Sequence, residues 1–118
     1  MRDFRKLDIW KYSIDLVKEV YMLSEKLPSE EKFGLKSQIT RAAISVPSNI
    51  AEGCSRNSEV EFKRFLEIAM GSLFELETQL IISKELGFIK PETLVPVFEN
   101  IEKEAKMINS LINKIKQG

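Results

Sequence analysis

The side chains best able to form a hydrogen-bonded site lie between Ser37 and Gly53, a segment of 17 residues with only two charges. Polar residues recur there at steps of three and four, so they share one face of a helix. Water is the usual environment of such residues. The alternative is a buried or half-buried seam against another helix. The row consists of Gln38, Arg41, Ser45, Asn49 and Glu52.

A second polar row with the same spacing offers a partner for this seam. It consists of Ser72, Glu75 and Gln79, beside the small Gly71. We predict a bidentate ion pair between Arg41 and Glu75. Because polar seams fix register or oligomeric state in some helical interfaces, we interpret the two rows as a packing and assembly element.

Two groups of basic residues supply side chains that can bind phosphate. The N-terminal group is Arg2, Arg5, Lys6 and Lys11, and the C-terminal group is Lys103, Lys106, Lys114 and Lys116. Acidic residues are interspersed in both groups, and a face of mixed charge is often only solvated. These groups are the candidates for contact with nucleic acid.

Residue types that support catalysis or metal binding are scarce. Histidine is absent, which removes the commonest general base and the commonest ligand of zinc sites. The sequence has no phosphate-binding loop, dinucleotide fingerprint or nucleophile elbow. Its single cysteine, Cys54, excludes an intrachain disulfide and lies near a helix C-terminus, where a thiolate is disfavoured. We predict a protein that is not an enzyme and holds no cofactor or metal.

Length and composition indicate one domain spanning residues 1–118, with 43% hydrophobic and 31% charged residues. Lys plus Arg equals Asp plus Glu at 18 each, so no overall field attracts nucleic acid or an anionic membrane. No apolar run reaches the ~18 residues that a membrane-spanning helix needs. The N-terminal segment also lacks the apolar core of a secretory signal, so we expect a cytoplasmic protein with no membrane contact.

Glycine and proline divide the chain into four long segments of helical periodicity, which predict an all-α, up-down-up-down antiparallel four-helix bundle. Ser58 and Glu61 fit a capping box at the third helix. The expected bounds are about Phe4 to Lys26, a start between Ser29 and Leu35 with an end near Gly53, Ser58 to Gly87, and Pro91 to about Lys116.

Two prolines and one glycine carry specific expectations. Pro47 should kink the second helix rather than break it, since Val46 would be a poor N-cap. Pro96 is tolerated near the start of the fourth helix if Thr93 caps that helix. Gly53 suits the left-handed conformation that often follows a helix.

The first and third helices carry more apolar surface than one bundle core uses. The third has an extra group, Met70, Phe74 and Ile81, beside its main stripe. A thick monomeric core would explain any one of these residues. For both helices together we prefer subunit contacts, because large exposed apolar patches are uncommon on monomers. The first helix has one stripe of Leu7, Trp10, Ile14, Val17 and Tyr21 and another of Ile9, Tyr12, Leu16, Val20, Leu23 and Leu27.

Three stretches, LPSEEKFGL, QITRAAISVPSNIAEG and FLEIAMGSLFELETQL, resemble the large-subunit (23S) rRNA intervening-sequence proteins. These are small bacterial four-helix bundles, related in fold to the accessory protein of diversity-generating retroelements. The resemblance implies a homo-oligomeric ring, a homopentamer, and suggests nucleic-acid binding, although no general activity is established for the family. We therefore expect a non-enzymatic oligomeric bundle that binds RNA or another nucleic acid. The alternative is a protein-binding adaptor or scaffold without nucleic-acid contact.

Overall fold

The computed structural model describes residues 2–118, and the regular secondary structure within that range is entirely helical. Short connections make consecutive helices antiparallel neighbours, so the predicted all-α four-helix bundle is confirmed. The molecule measures 45 × 24 × 19 Å along its principal axes. The long helices are α1 (Asp8–Ser24), α2 (Leu35–Cys54), α3 (Glu59–Glu85) and α4 (Pro91–Gln117), with single 3-10 turns at Phe4–Lys6 and Ser29–Glu31.

The first helix begins later than the sequence predicts. Asp3 caps the 3-10 turn by accepting a hydrogen bond from the backbone amide of Arg5, and Leu7 then adopts an extended conformation. That residue separates the 3-10 turn from α1, which starts at Asp8. The expected start at Phe4 was therefore wrong by about one turn.

The remaining helix starts are set by side-chain capping or by proline. The Glu31 carboxylate accepts a hydrogen bond from the amide of Leu35 at 3.1 Å, which fixes the start of α2. Ser58 accepts from the amide of Glu61 at 3.1 Å, so the predicted N-cap of α3 is confirmed. Pro91 is the first residue of α4, a position that has no need of an amide proton.

Proline and glycine do not all act as expected. Thr93 lies inside α4 rather than at its cap, and Pro96 falls within the helix. The second helix runs through the buried Pro47 without the break that was disfavoured, and the kink expected there stays a prediction. In the described residues, the glycine with a positive φ is Gly87, at +77°, which ends α3. Gly53 is helical, so its expected left-handed role was wrong.

The core consists of one stripe from each long helix. On α1 the buried stripe contains Leu16 and Val20, while the neighbouring stripe is half-buried around Trp10. On α3 the whole main stripe is buried, and it consists of Phe62, Leu66, Ala69, Leu73, Leu76 and Leu80. The buried apolar residues of α4 are Leu94, Val97, Ile101, Ile108 and Ile112. The most extensive helix contact is between α2 and α3, and the least extensive contact between neighbouring long helices is between α1 and α4. No helix within residues 2–118 combines the length and the hydropathy needed to cross a membrane.

Candidate nucleic-acid interface

Members of both basic groups lie at one end of the bundle. Because α1 and α4 are antiparallel, the start of α1 lies beside the end of α4. A surface cleft there is lined by Leu7, Asp8 and Ile9 from one side and by Met107, Ser110, Leu111 and Lys114 from the other. We call the four lysines at this end of the bundle the basic end; they are Lys6, Lys11, Lys114 and Lys116, of which Lys114 lines the cleft.

The basic end is exposed and largely free of internal ion pairs. All four of its lysines are exposed, and none of them forms an ion pair with a described residue. Lys6 directly precedes the cleft residue Leu7, and Lys116 lies in the last turn of α4. Asp8 is an acidic residue within the same cleft. The lysines are thus available to a phosphate backbone on a surface of mixed charge.

The other four basic candidates have partners within the chain. Arg2 donates two hydrogen bonds to the Glu59 carboxylate, at 2.6 and 2.9 Å, which lowers the pKa of Glu59 and raises that of Arg2. Lys103 lies 4.6 Å from the centroid of the Tyr12 ring. Arg5 pairs with Asp3 at 3.3 Å, and Lys106 pairs with Glu102 at 3.1 Å. These residues are less available to a ligand than the four lysines.

The two polar rows are joined by one hydrogen bond among the described residues, between Ser45 in the middle of the first row and Ser72 at the start of the second. The hydroxyl oxygens of Ser45 and Ser72 are 2.7 Å apart, and both residues are partly buried. The amide nitrogen of Asn49 donates to the Ser45 hydroxyl at 2.9 Å. These three residues form a short hydrogen-bonded contact between α2 and α3. We call Ser45, Asn49 and Ser72 the polar contact.

The outer members of the rows lie elsewhere. Gln38, Arg41 and Glu52 are exposed, as is Glu75, whereas Gln79 is buried. Among the described residues Arg41 does not pair with Glu75 and instead approaches the Ser37 hydroxyl at 3.5 Å, so the predicted ion pair was wrong within one chain. The hydrogen-bonded seam is therefore shorter than predicted, because the outer residues Gln38, Arg41, Glu52 and Glu75 are exposed to water.

Gly53 is essential to the close packing of α2 against α3. A Cβ atom added there would lie 2.7 Å from the Cβ of Phe65 and 3.1 Å from Cδ1 of Phe62. Backbone-linked atoms such as the Phe65 Cβ have little freedom to move away. The glycine at the end of the NIAEG motif therefore has a packing role. Burial raises the pKa of the adjacent Cys54 thiol, which fits an unreactive residue.

Glu104 is a buried carboxyl group that the sequence interpretation missed. It is only 1% exposed, and neither carboxyl oxygen has a hydrogen-bond partner within the described chain. Burial raises the pKa of Glu104 to about 8. A signal was present, because Glu104 follows Ile101 by three residues and precedes Ile108 by four, which places it in the buried stripe of α4.

Metal and catalytic sites were not expected from the sequence. Within residues 2–118 the structure has no cluster of three or more His, Cys, Asp or Glu side chains with the geometry of a metal site.

Comparison with known proteins gives a family and a fold. The family model described as 23S rRNA-intervening sequence protein matches residues 5–110. No curated protein matches the chain significantly. A solved structure from Bacteroides thetaiotaomicron, described as a protein with unknown function from the S23 ribosomal protein family, is 23% identical with a TM-score of 0.81. The alignment covers 88% of this chain and 97% of that one, which shows a shared fold.

Proposed function

This chain belongs to the 23S rRNA-intervening sequence protein family, and we propose that it is a non-enzymatic, homo-oligomeric protein that binds RNA at its basic end. The observation that carries the proposal is that two lysines from each basic group, distant in sequence, lie at the same end of the bundle, where the start of α1 and the end of α4 share a cleft. Lysine side chains that lack an internal carboxylate partner can displace counterions from a phosphate backbone.

The outer face of α3 supports the oligomeric part of the proposal. We define this face by its exposed apolar side chains, which are Val60, Ile68, Phe74, Ile81 and Ile82. Two of them, Phe74 and Ile81, belong to the group that the sequence assigned to subunit contacts. An apolar face of this kind on one chain is suited to burial against a second copy.

Gly71, in the middle of α3, fits the same interpretation. Glycine in a helix interior costs about 1 kcal/mol relative to alanine. A Cβ atom at Gly71 would have no neighbour within 4 Å, so nothing inside the chain requires a glycine there. A glycine on an exposed helix face permits close approach of another helix. We therefore place α3 at the subunit interface of a closed ring, a homopentamer as the family resemblance implies.

Oligomerisation would also explain how a chain with zero net charge, which has no overall attraction for RNA, binds it. Each chain presents only four lysines at its basic end, a weak site when taken alone. Several copies in one ring would present the same site repeatedly, and linked weak contacts add steeply in affinity. A ring of neutral subunits can therefore bind RNA through one repeated local patch.

Neutralising the basic end tests the proposal. The triple variant Lys6→Ala, Lys114→Ala and Lys116→Ala should bind single-stranded RNA at least tenfold more weakly than the wild type at low salt, because it loses three phosphate contacts per chain. The measurement is fluorescence anisotropy with a labelled oligonucleotide at fixed ionic strength.

A matched control removes the same number of charges elsewhere. Lys18, Lys32 and Lys90 are exposed and lie away from the basic end. The triple alanine variant at these positions should keep wild-type RNA affinity. Equal losses in both variants would mean that RNA responds only to total charge, and unchanged affinity in both would reject the basic end as the site. Absent RNA binding by the wild type at low salt would favour the protein-binding adaptor.

A further inference from the structure

A groove of about 730 Å³ lies between α1 and α4, the pair of neighbouring helices with the least extensive contact. Its volume falls within the range of small-molecule sites. Apolar atoms predominate in its wall, which includes Leu16, Leu23, the exposed Met22 and the ring of Tyr12. The groove lies along the middle of the helices and is distinct from the cleft at the basic end, which Leu7 and Lys114 line.

The floor of the groove contains the unpartnered carboxyl group of Glu104. Its two oxygens are inaccessible to water and have no hydrogen-bond donor within the described chain. An unsatisfied buried carboxyl group is costly and is retained where it has a role. The side chain has three rotatable bonds, and pairing with a ligand requires a rotation that turns its oxygens towards the groove.

The charge of the groove depends on Glu104. Asp15 and Glu19 from α1 balance the two lysines Lys26 and Lys103, so ionisation of Glu104 makes the lining net negative. Lys103 is drawn to the Tyr12 ring, with its nitrogen 4.6 Å from the ring centroid. Glu19 accepts a hydrogen bond from the side-chain amide of Asn100 at 3.0 Å. Among the lining carboxyl groups, Glu104 is therefore the one that is both buried and without a partner in the described chain, whereas Asp15 is exposed to water.

We propose that this groove is a binding site for a small organic cation, a primary amine on an apolar body, whose ammonium group pairs with Glu104. The apolar part of the ligand packs against Leu16, Leu23 and Met22, and methionine adapts its shape to such ligands. This site is independent of RNA binding, because it uses none of the four lysines of the basic end.

The ionisation of Glu104 gives the site a characteristic pH dependence. Its carboxyl group holds a proton below about pH 8, and an ammonium ion pairs only with the carboxylate. Asp15, Glu19, Lys26 and Lys103 are the other charged groups that line the groove, and no residue of α2 or α3 in the described chain does so. Affinity for the amine should therefore be about tenfold higher at pH 9 than at pH 7, with a proton released on binding at pH 7.

The test compares two probes of the same shape, 4-phenylbutylammonium and the neutral 4-phenylbutan-1-ol, by isothermal titration calorimetry on the full-length protein. At pH 8.5 the amine should bind at least tenfold more tightly than the alcohol. Glu104→Gln should reduce amine affinity to that of the alcohol without changing alcohol binding. Glu102→Gln is the matched control, because Glu102 is exposed on the same helix, and it should leave amine binding unchanged.

Three results would overturn the proposal. Equal affinity for amine and alcohol would mean that the groove binds only the apolar part of the ligand and does not recognise the ammonium group. Absent amine binding, together with a changed assembly mass in Glu104→Gln, would assign the groove to a second copy of the chain. If Glu104→Gln fails to fold, calorimetric titrations of the wild type in buffers of different ionisation enthalpy still measure the protons released on amine binding. Amine binding at pH 7 without proton release would contradict the role of Glu104.

Discussion

The buried Glu104 should make the protein less stable as the pH rises through neutrality. Its pKa is about 8 in the folded chain and 4.5 without burial, so between these values the folded state holds a proton that the unfolded state has lost. The stabilising contribution is complete below about pH 4.5 and is lost as the pH rises towards 8. Each pH unit in this window lowers the free energy of unfolding by about 1.4 kcal/mol.

The size of the effect can be measured against a variant that cannot titrate. Glu104→Gln removes the proton equilibrium, so its free energy of unfolding lacks this slope. Between about pH 5.5 and pH 7.5 the wild type should lose about 2.7 kcal/mol relative to the Gln variant. Glu104 is 1% exposed, so solvent screening of the effect is small.

Urea unfolding followed by circular dichroism gives the required free energies. Protein concentration must stay fixed, because the stability of an oligomer depends on it. Glu102→Gln again serves as the control, since the exposed Glu102 should leave the pH slope of the wild type intact. Parallel curves for the wild type and Glu104→Gln would show that Glu104 titrates normally in the folded protein. They would refute both its burial as a neutral group and the pH dependence proposed for the groove.

Three further predictions concern packing and assembly. Gly53→Ala should destabilise the bundle by about 1 to 2 kcal/mol in thermal or urea unfolding, because overpacking outweighs the gain in helix propensity. A more stable variant would contradict the 2.7 Å approach of the added Cβ to Phe65. Ser45→Ala should cost about 1 kcal/mol, and a double-mutant cycle with Ser72→Ala should reveal coupling between the hydroxyls; additive effects would argue against their hydrogen bond. The paired substitutions Phe74→Asp and Ile81→Asp should lower the mass measured by light scattering to that of a monomer with unchanged helicity, whereas an intact oligomer would remove α3 from the interface.

The fold was largely predictable because the helical periodicity of apolar residues agrees with the positions of the residues that start and end helices. Ser58 caps α3, and Gly87 ends it with a positive φ. The misplaced start of α1 has a local cause, since Leu7 adopts an extended conformation that a periodic pattern does not reveal. Helix boundaries depend on such single residues, whereas the number and order of helices depend on many residues together.

The candidate site was less predictable because it depends on which residues of different helices meet. The polar rows had matching spacing, but among the described residues only Ser45 and Ser72 join them by a hydrogen bond, and Arg41 and Glu75 do not pair. Gly53 was assigned the left-handed conformation after a helix, although its close packing against α3 is what requires glycine. The placement of lysines from both basic groups at one end of the bundle follows from antiparallel helices and was open to prediction. The burial of Glu104 was also visible in its spacing within the apolar stripe of α4.

The salt dependence of RNA affinity is the most direct test of RNA binding at the basic end. If the lysines of one basic end contact phosphates, the logarithm of the dissociation constant for single-stranded RNA should rise with the logarithm of salt concentration with a slope of roughly 3. That slope corresponds to about a fiftyfold weakening between roughly 50 and 200 mM salt. Absent binding at low salt, or an affinity that salt does not change, would contradict the proposal.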